Sequence, residues 1–332
     1  MLRPTAKRVS ALLVNASFLD VLPHFHQSLE ETGFDVITAP EFYALPPDAR
    51  RNVLESIQVV FGPGPFTEED LVTARRLKVI SLASSGYEST DVEAATERGI
   101  VVTNAPTRLG TESVADLTFG LILTVARGLC AADQQLKAGI WKRTMGVTVW
   151  SKSLGIIGLG RIGRAVVRRA KGFNMAVLAL DHHGDDPFVR ELGVECVPME
   201  ELLRRSDFVS LHTRYNAEMH HLIGRAQLRS MRASAYLINT SRAGVIDEAA
   251  LVYALRNGWI AGAGLDVYEG TPGTENCLLT LPNVVVTPHI GNRALEGVLD
   301  VVECSIHSAA AVLRGQRPEF VVNPSVYEKG VR

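Results

Sequence analysis

The sequence predicts an α/β protein of two doubly wound parallel-sheet domains, one inserted into the other. Short apolar runs alternate with amphipathic segments along the chain, the alternation restarts at LGIIGLG (residues 154–160), and a closing helix is left over once the later strands are complete. Strands alternating with helices make βαβ units, whose sheets are parallel and covered on both faces.

The first set runs VSALLV, the helical FLDVLPHFHQSLEETG, FDVITA, KVISLA, the helical DVEAATERG and IVVTN. The N-terminal stretch begins basic and turns apolar, but Asn15 and Asp20 interrupt it and no small-residue cleavage site follows. It reads as a first strand, not a leader. Residues 111–136 carry Val114, Leu117, Leu121 and Val125 at helical spacing, which suits a segment crossing between domains. The second set then runs AVLAL, FVSLHT, AYLINT, AGAGLDV and NVVVTPH, separated by helices such as DEAALVYALRNG. Residues 294–314 form a further long helix that the second sheet does not need, so the chain is expected to return to its first domain. The boundaries follow as 1–106 with 293–332 for one domain and 107–292 for the other, with a cleft between them. Neither a solenoid-period repeat nor a low-complexity tract interrupts this plan.

At 332 residues the chain exceeds one compact core. A content of 46% apolar and 21% charged residues with a formal net charge of -2 is that of an ordinary globular protein and gives no electrostatic reason to bind nucleic acid. Arg161, Arg164, Arg168 and Arg169 spread around a helix and read as a solvated face. Cys130, Cys196, Cys277 and Cys304 lie far apart without CxxC spacing, which signals neither zinc nor a disulfide framework and fits a reduced, cytoplasmic protein. No run approaches 18 to 20 uninterrupted apolar residues, so no membrane span is expected.

Gly158, Gly160 and Gly163 spell GxGxxG directly after the apolar LGII and before the helical RIGRAVVRRA. In that context the first glycine permits the tight turn and the second lets backbone amides approach a pyrophosphate. The third allows the helix to pack close to the strand, with its N-terminus facing the anion. The following strand, AVLAL, leads into Asp181, eighteen residues past Gly163. A carboxylate there accepts hydrogen bonds from both ribose hydroxyls of NAD. Against the 2′-phosphate of NADP it costs about 4 kcal/mol at about 4 Å and an effective dielectric of about 20, roughly a thousandfold preference. His182, His183 and Arg214 are the residues able to offset that charge.

Arg242 in NTSRAG, Asp266 in AGLDVY and His289 in TPHIGN fall at carboxyl ends of strands in the second domain, where open α/β sheets bind ligands. A guanidinium fork can hold a carboxylate and stabilise charge developing on a carbonyl oxygen, and an imidazole can deliver or accept a proton. Together with SSGY at 84–87 and the glycine turn, the stretches NTSRAGVIDEAAL, GAGLDVYEGTP and LPNVVVTPHIGN resemble the D-isomer-specific 2-hydroxyacid dehydrogenase family over essentially the whole chain.

That resemblance implies a Rossmann-type cofactor domain inserted into a flavodoxin-like substrate domain, and D-stereospecific hydride transfer between NAD(H) and a small 2-hydroxy or 2-keto acid. It implies Arg242 and His289 as catalytic and substrate-binding residues, and the backbone amides of Ser85 and Gly86 gripping the carboxylate across the cleft. Arg161 and Ile162 of the glycine turn, with His212, Thr213, Thr240, Asp266 and Gly291, are assigned to the cofactor. Asp266 also has a purely structural reading as a buried strand-end carboxylate, and Asn239 and Thr240 read as backbone contributors. His24, His26, His220 and His221 read as surface histidines. A homodimer joined through the nucleotide-binding domains, with the helix starting near Thr111 at the interface, is implied as well.

The sequence departs from the family at Thr271, where a glutamate usually stands five residues after the aspartate of LDV and hydrogen-bonds the catalytic histidine. A carboxylate favours the charged imidazole; threonine does not. This predicts a reaction tuned toward oxidation or toward an unusual substrate, unless Glu269 or Glu275 reaches His289 instead. Ala243 stands where glycine usually follows the arginine, and Arg214 where proline often follows LHx. The loop FGPGPFT offers no arginine or lysine, which disfavours a phosphorylated substrate. Two alternatives share the fold: an NAD-sensing regulatory protein, which the missing glutamate would suit, and a dehydrogenase of a non-carboxylate oxyanion such as formate or phosphite.

Overall fold

The computed structural model describes residues 9–14, 16–62, 66–180, 186–270 and 276–331. They form a mixed α/β structure of two compact units, Met1–Gly110 with Arg293–Arg332, and Thr111–Asn292.

In the first unit, β1 (Val9–Leu13), β2 (Phe34–Thr38), β3 (Val59–Phe61), β4 (Val79–Ser81) and β5 (Val101–Thr103) form a parallel sheet ordered β2-β1-β3-β4-β5. Side chains alternate between faces along each strand, and both faces are covered, so the central strands are largely apolar, with Ser81 a buried exception. Ala11, Leu13, Val59 and Phe61 pack with Phe18, Phe25, Val298, Val302 and Ile306 of the helices Ala16–Glu31 and Leu295–Leu313. Leu12, Val60, Ile80 and Val102 belong to the opposite cluster with Leu54, Leu71 and Ala95. The closing helix is therefore a core element of this sheet. It is also hydrogen-bonded to it, because Ser81 Oγ lies 2.9 Å from both Thr103 Oγ1 and Ser305 Oγ, all buried. Asn323 completes the seam: its Oδ1 accepts from Val102 N at 2.8 Å and its Nδ2 donates to Ile100 O at 2.9 Å.

The second unit holds β6 (Ser153–Ile157), β7 (Ala176–Leu180), β8 (Glu195–Cys196), β9 (Phe208–Leu211), β10 (Tyr236–Asn239), β11 (Gly262–Leu265) and β12 (Val284–Val286). These are parallel and ordered β12-β11-β10-β9-β6-β7-β8. The chain builds outward from β6 to one side and then, from β9, to the other. Between β6 and β9 the winding reverses, which opens a crevice at the carboxyl ends of the strands.

Residues 111–136 are not one helix. Arg108–Arg127 and Leu129–Lys137 are separated by Gly128, whose φ of 60° ends the first. By length and mean hydropathy (1.3) the helix Arg108–Arg127 could cross a membrane. Here Ala115, Phe119, Leu121, Ile122 and Ala126 are buried in the core of the unit. Three arginines expected on a solvated face are ion-paired: Arg164 with Asp186, Arg168 with Glu112 at 2.8 Å, and Arg169 with Glu112 at 2.6 Å and Asp116 at 2.7 Å. They tie the helix Arg161–Gly172 to its neighbours because Glu112 and Asp116 recur on the facing side of the helix Arg108–Arg127.

Candidate active site

The glycine turn follows β6 at the winding reversal. Gly158 has φ +100°, and a Cβ there would lie 2.8 Å from the backbone of His212. A Cβ on Gly163 would lie 2.2 Å from Gly158 O, so glycine is what lets the helix Arg161–Gly172 start this close to the strand. Gly160 is different: it is exposed, and a Cβ there would meet nothing within 4 Å. The space over the helix N-terminus is thus open on the side where first-turn amides seek acceptors.

At the end of β9, next to this turn, lie two polar atoms shielded from water and without a hydrogen-bond partner among the described residues, His212 Nδ1 and Thr213 Oγ1. His212 Nε2 is 2.8 Å from Ser210 Oγ, and burial pushes the imidazole pKa down to about 3, so the ring is neutral. Buried polar atoms left unpaired cost about 1–3 kcal/mol each, and a bound polar group is the ordinary remedy. A glycine cradle, an open helix N-terminus and two orphaned polar atoms beside it fit a dinucleotide.

The turn after β10 carries Arg242, half-buried and in extended conformation. Asn239 shapes it with its side chain, Oδ1 accepting from Ser241 N at 2.9 Å and Ser241 Oγ at 2.8 Å while Nδ2 donates to Arg242 O at 2.9 Å. The sequence reading gave Asn239 a backbone role alone; a buried asparagine three residues before the arginine was the available signal. Thr240 Oγ1 is 3.0 Å from Thr118 Oγ1 of the helix Arg108–Arg127.

Asp266 directly follows β11 and is 1% exposed. Its Oδ1 accepts from Thr287 Oγ1 at 2.6 Å and Ile290 N at 2.8 Å, its Oδ2 from Gly291 N at 2.8 Å, and its backbone oxygen from His289 N at 3.0 Å. Gly291 O in turn accepts from Ser113 Oγ at 2.8 Å. The loop after β12 is therefore wrapped around one carboxylate. His289 is held within it at φ 54°, a left-handed conformation that costs a non-glycine residue about 1–2 kcal/mol, and its side chain is exposed. No hydrogen bond joins Glu269 to His289 among the described residues. Glu269 N instead donates to Glu248 Oε2 at 2.6 Å, while Asn276 Nδ2 donates to Glu248 Oε1 at 2.7 Å. Glu248 thereby fastens both sides of segment 271–275. Asp181, His182, His183, Thr271 and Glu275 lie outside the described residues.

In the first unit, the turn after β4 carries Ser85 and Gly86. Its carbonyl oxygens are engaged, Ser84 O by Ala105 N, Ser85 O by Asn104 Nδ2 and Gly86 O by Ser84 Oγ, each at 2.8 Å. The N–H groups of Ser85 and Gly86 have no acceptor among the described residues. Successive free amides of this kind suit an anion.

Arg242, Asp266 and His289 thus follow three adjacent strands, β10, β11 and β12, on the same carboxyl edge as the glycine turn. Residues 119–291 match the family model described as D-isomer specific 2-hydroxyacid dehydrogenase, NAD binding domain. The chain belongs to this family. The dehydrogenase is 44% identical over 269 residues to a glyoxylate reductase of Korarchaeum cryptofilum, an overlap of 79% of this chain and 81% of that one. Among solved structures it is similar to a D-lactate dehydrogenase from Aquifex aeolicus complexed with NAD and lactic acid, at a TM-score of 0.82 and 29% identity over 95% of this chain and 99% of that one. A glyoxylate reductase from Paecilomyes thermophila gives a TM-score of 0.80 and 29% identity over 96% and 99%. The protein is an NAD-dependent 2-hydroxyacid dehydrogenase.

Proposed function

We propose that the dehydrogenase transfers hydride between NAD(H) and a small 2-keto or 2-hydroxy acid of the glyoxylate class, with D-stereospecificity where the product is chiral. The observation that carries this is the pairing of a turn-held arginine after β10 with an exposed histidine after β12, in a loop wrapped around the buried carboxylate that follows the strand between them. Its glyoxylate reductase relatives point to a small substrate, as does the absence of any arginine or lysine from FGPGPFT.

Arg242 binds the substrate carboxylate and stabilises negative charge on the carbonyl oxygen as it develops. In reduction an imidazole nitrogen of His289 delivers a proton to that oxygen, and in oxidation it takes the hydroxyl proton back. The nicotinamide, when bound, supplies or receives the hydride at the substrate's second carbon. The unit Thr111–Asn292 holds the cofactor through Gly158, Gly160, Arg161, Ile162 and Gly163, with His212, Thr213, Thr240 and Gly291 along the same edge. Asp181 sets the preference for NAD over NADP. Asp266 acts on the cofactor side through the loop it organises. Within the unit Met1–Gly110 with Arg293–Arg332, the amides of Ser85 and Gly86 are suited to binding a carboxylate.

The active form is a cytosolic homodimer. Trp141, Met145 and Trp150 are 79%, 99% and 60% exposed within one short segment of the cofactor unit, and Leu129, Leu136 and Ile140 add to the patch. An apolar area of this kind calls for a protein partner. Four free cysteines fit a reducing compartment.

NADH absorbance with glyoxylate, pyruvate and larger 2-keto acids, repeated with NADPH, tests the assignment. Turnover of a small 2-keto acid with NADH preferred is expected, from a species sedimenting as two chains. Tight NADH binding without turnover of any 2-keto or 2-hydroxy acid would overturn it.

A further inference from the structure

We infer that Tyr215, locked by His220, is a positioning residue for Arg242. The inference rests on the assignment of Arg242 made above.

The turn that follows the arginine is strapped from outside by segment 215–223. His221 N donates to Gly244 O at 2.8 Å, Ile223 N to Val245 O at 3.0 Å, and Asp247 N to Ile223 O at 3.0 Å. Against Gly244 itself lies the ring of Tyr215. A Cβ on that glycine would sit 2.7 Å from Tyr215 Cε2 and 3.1 Å from Cζ and Oη. The φ of Gly244 is outside the left-handed region, so the position does not need glycine for its backbone. It needs glycine because the tyrosine ring occupies the volume a side chain would take. The departure at Ala243 acquires a reason here: in RAG the glycine falls one residue later, under the ring.

The ring is in turn fixed. Tyr215 Oη is 3.0 Å from His220 Nδ1, and the two rings meet edge to face with centroids 6.2 Å apart. His220 stacks on His221 at 3.8 Å. His221 adopts φ 53°, a left-handed conformation held against its cost, and it is the residue whose N–H binds Gly244 O. The contacts therefore close a circuit from Gly244 through Tyr215, His220 and His221 back to Gly244. His220 and His221 are exposed, as their surface reading has it, and at the same time brace the turn carrying the substrate-binding guanidinium. A guanidinium that must meet a carboxylate in two-point geometry is sensitive to small displacements of its turn.

The test compares Tyr215→Ala, Tyr215→Phe, Gly244→Ala and the double variant Y215A/G244A with the unaltered enzyme, using glyoxylate as the probe. Tyr215→Ala is expected to raise KM for glyoxylate about tenfold while kcat changes less than about threefold and the NADH Kd is unchanged. Gly244→Ala, which evicts the ring, should give the same split, and the double variant should be no worse than the worse single. Tyr215→Phe keeps the ring on Gly244 but loses the bond to His220, and should recover only part of the loss. An unchanged KM in Tyr215→Ala overturns the inference, as does a parallel loss of NADH affinity, which would mean that the segment serves the cofactor. Arg242→Lys separates this from failure of the underlying assignment. If that variant keeps its KM and kcat, the role of Arg242 is wrong; if it is crippled while Tyr215→Ala is not, the brace alone is wrong.

Discussion

Replacing His289 by alanine is expected to lower kcat for 2-keto acid reduction about a thousandfold while leaving the NADH Kd within about twofold. The size of the effect follows from the chemistry: hydride arriving at the carbonyl carbon leaves an alkoxide, and with the imidazole gone that oxygen must be protonated from water. The selectivity follows from the geometry. His289 is exposed, among the described residues it is its backbone N–H that makes hydrogen bonds, to Asp266 O and Thr287 O, and the loop is anchored by Asp266 and Thr287. Removing the side chain therefore takes nothing from the fold. Stopped-flow reduction with a fluorescence titration of NADH measures both quantities, and retention of more than about a tenth of kcat would remove His289 from the proton-transfer role.

The second large effect is expected at Asp266, which by this geometry acts through the histidine loop. Asp266→Ala leaves three donors, Thr287 Oγ1, Ile290 N and Gly291 N, without their acceptor. At about 1–3 kcal/mol for each buried donor the loss of stability is on the order of 3 kcal/mol after partial relaxation. The loop is then free to release the left-handed backbone at His289, and kcat should fall about a hundredfold with the proton donor mispositioned. Amide exchange at Ile290 and Gly291 reads the loop and a urea midpoint reads the stability. Faster exchange at those amides together with lost kcat is the expected pair. Normal exchange with lost kcat would instead assign Asp266 a direct role at the cofactor, the other reading its strand-end position allows.

Much of this architecture is visible in the amino-acid order because parallel sheets covered on both faces leave short, wholly apolar runs, and because the glycine turn has no steric substitute at Gly158 or Gly163. Arg242 and His289 are legible for the same kind of reason, as polar residues at the ends of such runs. What sequence pattern misses is set by contacts between distant residues. Nothing in IDEAAL shows that Glu248 fastens Glu269 and Asn276. Nothing in RYNAEMHH shows a tyrosine ring over Gly244, since the partners are separated by a strand and a helix. The break at Gly128 is missed for another reason: the helical periodicity continues across it, and a single left-handed glycine leaves no trace in a hydrophobic pattern. The arginines of the helix Arg161–Gly172 find acidic partners on another helix, which one-dimensional spacing does not report.

The seam between Ser81, Thr103 and Ser305 bears on how the protein is made. Strands β1 to β5 leave the ribosome with one face that waits for Val298, Val302 and Ile306, which are made only after the whole of the other unit. The unit Thr111–Asn292 has all of its strands in one continuous stretch and can close its sheet while the N-terminal strands still lack that helix. Synthesis thus delivers a nascent chain in which β1 to β5 are sealed after the unit that follows them, and a message truncated before the helix Leu295–Leu313 yields an exposed, aggregation-prone sheet face attached to a finished nucleotide-binding unit.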